Sequence, residues 1–117
     1  MLDGLTHEQQ MLQESTQRFV DEEMLPHEDL VDREGHVSIE LGRQIESRAK
    51  EVGLFAANLP ENVGGGGLDY TGMAVIEREF GRTSHALHAW VARPTELLLA
   101  TEGDQNARYL APCVTGA

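Results

Sequence analysis

The chain has 117 residues, the size of one ordinary domain, and 40% of them are apolar, enough for a core. Twenty acidic residues stand against 9 basic ones, for a net charge of -11, and Lys50 is the only lysine. That balance excludes the clustered Lys and Arg of a nucleic-acid surface and disfavours an anionic membrane, while the single Cys113 excludes an internal disulfide or a cysteine zinc cluster.

In chain order, Thr6 with Gln9 three residues on has the spacing of a capping box. Leu12, Thr16, Phe19 and Val20 then share one helical face, and Pro26 is expected to end or bend this first helix. The acidic stretch 21–34 reads as a solvated helix end and a connection, broken at Gly35. Ser38 caps a second helix with Leu41, Ile45, Ala49 and Val52 inward and Gly53 as its stop. Residues 54–59 form a short apolar run with no partner strand, expected as an extended segment or turn packed on the core. Pro60 and the four glycines 64–67 make a loop, and Asp69 caps a third helix with Met73, Ile76 and Phe80 inward, ending at Gly81. Ser84 starts a fourth helix whose shared face holds Leu87, Trp90, Val91, Pro94, Leu97 and Leu98, kinked or split at Pro94. Thr101 caps a last short helix through Leu110, and Pro112 and Gly116 close the chain. The fold class is all-α, a bundle of about five helices.

Few constellations carry chemistry. The glycine run invites an anion-binding reading, because free backbone N–H groups at a helix start attract phosphate. No Lys-Ser or Lys-Thr follows it, the glycines are not spaced as in a dinucleotide fingerprint, and Asp69 brings negative charge to the helix start. A plain turn that lets two helices pack is the simpler reading. His85 and His88 share a helix face but lack a third ligand, so no metal is expected. Glu77 and Glu79 beside Arg78 and Arg82 read as helix-surface charge. Trp90 with Val91 and Pro94 has two readings, plain core or the lining of a ligand cavity beside a broken helix.

These segments in order resemble the N-terminal domain of the acyl-CoA dehydrogenase family, over essentially the whole chain. The opening Leu5-Thr6-His7-Glu8-Gln9-Gln10 is similar to the family's first helix. The most specific stretch runs from Gly53-Leu54-Phe55 through Leu59-Pro60-Glu61 and the glycines to Leu68-Asp69-Tyr70. Glu79-Phe80-Gly81-Arg82 and Thr101-Glu102-Gly103-Asp104-Gln105 with Tyr109-Leu110-Ala111-Pro112 add to it. Two departures stand out: Ala100 replaces a usual glycine, and Trp90-Val91-Ala92-Arg93 stands where small or polar residues are usual.

The resemblance implies an FAD-dependent oxidoreductase that removes a proton and a hydride from the α and β carbons of an acyl-CoA thioester. In such enzymes a middle β-domain and a C-terminal helical bundle carry the flavin contacts and the base. The expectation is therefore residues 1–117 as the N-terminal domain alone, without catalytic or cofactor-binding residues of its own. Leu87, Trp90, Val91, Pro94 and Leu97 are the expected substrate-binding residues, one wall of the acyl pocket. Trp90 is expected to shorten or reshape that pocket. Partners are acyl-CoA and the sister domains or a partner subunit, in a cytoplasmic homo-oligomer, with no nucleic acid and no membrane. Two alternatives remain: the same fold in a flavin monooxygenase or oxidase, and a stand-alone helical interaction module.

Overall fold

The computed structural model describes residues 4–116; the expected boundary at Ala117 lies outside them. Among the described residues there are six α-helices and no strand: α1 (His7–Phe19), α2 (Glu28–Glu34), α3 (Ile39–Glu51), α4 (Tyr70–Phe80), α5 (His85–His88) and α6 (Ala111–Thr115). The all-α expectation holds.

Three helix starts form as the residues dictate. The Thr6 hydroxyl accepts from Gln9 N–H at 3.2 Å, and the Gln9 side chain accepts from Thr6 N–H at 3.0 Å, closing the capping box of α1. Ser38 accepts from Leu41 N–H at the start of α3, and Asp69 Oδ1 from Gly72 N–H at 2.7 Å at the start of α4. Each satisfies an amide that has no partner within its own helix. At the other end of α2, Gly35 takes φ +76 and donates to Val31 O, a conformation a side chain would strain.

Four expectations are corrected. The acidic connection after Pro26 is itself helical over Glu28–Glu34, with Glu28 and Asp29 at the positive end of the helix dipole and Arg33 at the negative end. Val52, expected inward, follows the last turn of α3 and is 58% exposed. Thr101 does not cap the last helix: its hydroxyl donates back to Leu98 O, and the helical run continues beyond Leu110 through Pro112 into α6. Residues 84–98 are not one helix, for reasons given below.

α1 packs on α4 through an edge-to-face pair of Phe19 and Phe80, with ring centres 6.4 Å apart. Met24, Ile45, Ala49, Leu59, Ile76 and Leu87 complete a fully buried interior. The run 54–59 turns across this core as expected, and Leu54, Ala56, Ala57 and Leu59 are buried in it. Arg82, just past α4, donates to Asp21 Oδ1 at 2.9 Å and holds the far end of the α1 rod.

Candidate functional site

The expected pocket wall begins at α5. The N–H of its N-cap, Ser84, donates to the Glu28 carboxylate at 2.6 Å, and the Ser84 hydroxyl caps no amide of α5, so α2 positions the start of the segment. α5 then stops after one turn. Pro94 lacks an N–H and would clash with the carbonyl four residues back, and it disfavours helix at Arg93. The chain therefore leaves the helix through tight turns, with Trp90 N–H donating to Leu87 O and Val91 N–H to His88 O. It runs without regular structure to Thr95 and resumes as a 3₁₀ turn over Glu96–Ala100. The segment is split, as expected, but the helix ends at His88, ahead of Pro94, and the single shared helical face does not exist.

Breaking the helix separates the wall residues. Leu87 and Val91 are buried in the domain's own core. Trp90 is half-buried, and its indole lies flat on α3 at Gly42, where a β-carbon would collide with the ring. Pro94 is half-buried, and Leu97 is 80% exposed. Leu98 packs back on the core, while Leu99 lines an apolar trough of about 470 Å³ with Val63, Ala107 and Leu110.

Asn58, which sequence reading did not single out, meets this segment. Its side-chain Nδ2 donates to Pro94 O at 2.6 Å and to Glu96 Oε1 at 3.2 Å. The Glu96 carboxyl is held below its ordinary range, first by that amide, then by its own backbone N–H, with Arg93 adding to both. The one visible signal was a lone polar side chain inside the apolar run 54–59. Gly42 was legible only as a glycine inside a helix, which costs stability unless packing requires it.

The other candidates resolve on geometry. Gly64, Gly65, Gly66 and Gly67 donate their amides to Glu61, Pro60, Ala56 and Leu59 carbonyls, so the run has no free N–H cradle for a phosphate. A β-carbon on Gly65 would strike the Leu59 backbone; the glycines serve close packing. Among the described residues, no three His, Cys, Asp or Glu gather as for a metal ion. The His88 ring stacks on Phe80 at 5.0 Å, and its Nε2 lies 3.5 Å from Glu77 Oε2. Arg93 Nη1 lies 3.9 Å from the other oxygen of the same carboxylate, so the cation turns back to its own domain. Glu79, expected on the surface, is buried beside Arg82, whose Nε is 3.3 Å away, and it lines a polar groove between α1 and α4.

No helix among the described residues is long and apolar enough to cross a membrane. Residues 6–117 match the family model described as acyl-CoA dehydrogenase, N-terminal domain. A probable acyl-CoA dehydrogenase of Bacillus subtilis (strain 168) is 29% identical over 97% of this chain. A (2S)-methylsuccinyl-CoA dehydrogenase of Cereibacter sphaeroides is 34% identical over 97% of it, and a 3-(aryl)acrylate reductase of Clostridium sporogenes (strain ATCC 15579) 25% over 95%. The chain spans only 19%, 21% and 30% of these three relatives respectively. No solved structure matches it. With the match running through nearly every described residue, and with the helix caps and glycine turn formed where the motifs stand, the chain belongs to the acyl-CoA dehydrogenase family as its N-terminal domain.

Proposed function

We propose that this chain is the substrate-wall domain of an FAD-dependent acyl-CoA dehydrogenase, a cytoplasmic homo-oligomer, whose flavin and catalytic base sit on other domains. The observation that carries the reading is the segment 90–98: irregular around Pro94, tied down by buried Val91 at one end and half-buried Leu98 at the other, and presenting Leu97 to the outside at 80% exposure. Leu97, Pro94 and the free edge of Trp90 form the face offered to the acyl chain, and Leu87 and Val91 back it. The residues present do not suit FAD itself, because the glycine amides are engaged and the net charge of -11 repels its pyrophosphate. In this reading the domain excludes water and sets the length of acyl chain accepted, and takes no part in proton or hydride transfer.

Steady-state kinetics of the complete enzyme with Leu97→Asp test this. A charge on the wall should raise KM for acyl-CoA about tenfold or more and leave the melting temperature within about a degree. Unchanged kinetics across acyl-CoA lengths would remove the wall from the substrate. A second reading, reduction of an α,β-unsaturated acyl group, is favoured by the likeness to the arylacrylate reductase. Supplying an enoyl substrate with a reductant separates the two directions.

A further inference from the structure

We infer that Asn58 is the positioning residue of this wall: its side-chain amide holds residues 92–96, a strap without regular structure, against the buried run 54–59. Residues 92–95 have no helix or sheet to satisfy their backbone, yet polar groups shielded from water need partners. Ala56 N–H donates to Ala92 O at 2.9 Å, and two residues further on each segment Asn58 Nδ2 donates to Pro94 O at 2.6 Å. These two rungs, two residues apart on each segment, fasten the strap at two points. The second rung differs in that a side chain supplies the donor.

The orientation of the amide is not ambiguous. Its two partners, Pro94 O and Glu96 Oε1, both accept, so the nitrogen must face them. The opposite atom, Asn58 Oδ1, is buried and has no partner among the described residues. An orphaned acceptor is unfavourable, and an apolar residue here would avoid it. The donor is therefore what the position requires. Ala56 shows the same constraint on the other segment: it holds φ +51, a left-handed conformation costly for alanine, while its N–H bonds Ala92 and its carbonyl accepts from Leu59 and Gly66.

The consequence for substrate rests on the wall reading, but the tether does not, and the test keeps them apart. In the 117-residue chain, Asn58→Asp preserves shape and removes the donor. Amide hydrogen exchange of Ala56, which bonds the strap, is compared with that of Leu54, which bonds Ala49 O in α3 and does not touch it. We expect Ala56 exchange to rise about tenfold with Leu54 unchanged. Glu96→Ala, which removes the facing charge and adds no donor, should not restore protection in the Asn58→Asp background; restoration would mean charge repulsion, not a lost donor, and would overturn the inference. Unchanged Ala56 exchange overturns it equally. Should Asn58→Asp unfold, the wild-type chain decides: one Asn58 side-chain proton must exchange slowly, and free-amide exchange of both sinks the tether. In the complete enzyme, Asn58→Asp should raise KM for acyl-CoA with kcat retained. Ala56 deprotection without any KM change would leave the tether and remove its role in substrate positioning.

Discussion

Trp90, expected to shorten or reshape the acyl pocket, is held by a contact that the sequence does not show. Its ring is laid on α3, where Gly42 leaves room for it. Glycine inside a helix usually costs about 1 kcal/mol relative to alanine. Here alanine would overlap the indole, so the usual sign reverses. Gly42→Ala should destabilise the chain by about 1–3 kcal/mol and push the indole into water. Since Trp90 is the only tryptophan, a red-shifted emission and a lowered melting temperature report both effects directly. A more stable variant with an unchanged spectrum would show that the notch is not what holds the ring.

At the scale of elements, capping and proline chemistry explain most boundaries. Two widened, π-type turns, Val20–Met24 and Asn106–Leu110, each end two residues before a proline, Pro26 and Pro112. A proline removes the donor to the carbonyl four residues back and its ring crowds that carbonyl, so the preceding turn opens to longer bonds: Leu25 N–H reaches Val20 O, and Ala111 N–H reaches Asn106 O. α4 depends on its cap. Asp69→Ala should lose about 1 kcal/mol, while Asp69→Asn, which retains an acceptor, should lose only a few tenths. Denaturant midpoints of the two variants measure the difference; equal losses would assign Asp69 another role. The caps at Thr6, Ser38 and Asp69 were legible because such bonds are local. The one-turn α5 was only half legible, since Pro94 marks the break but not where the released chain goes.

The whole molecule is a slab, 44 × 39 × 20 Å, with a radius of gyration of 14.8 Å against roughly 13.4 Å for a compact chain of this length. Its accessible surface of 7309 Å² exceeds the roughly 6,300 Å² of a self-contained globule of the same mass. The excess includes large apolar side chains, with Tyr70 88%, Leu97 80% and Ile39 73% exposed. A surface of that kind fits a domain that is completed by neighbours. The isolated chain should therefore bind an environment-sensitive apolar dye or self-associate, as fluorescence titration with sedimentation velocity would register. A monomer that binds no dye would favour the stand-alone module instead.

Sequence by itself determined the helical class, three helix caps, the break at Pro94 and the family, because each depends on contacts within a few residues or on motif order. Tertiary structure alone decided that the glycine amides are consumed, that Glu79 is buried, that Trp90 rests on Gly42, and that Asn58 donates to Pro94 O. Trp90 with Gly42 and Asn58 with Pro94 join residues tens of positions apart, and periodicity carries no information about which group a side chain or a loop amide meets. The expected wall residues were readable only as apolar positions; the fold shows Leu97 exposed and Leu87 and Val91 buried in the core.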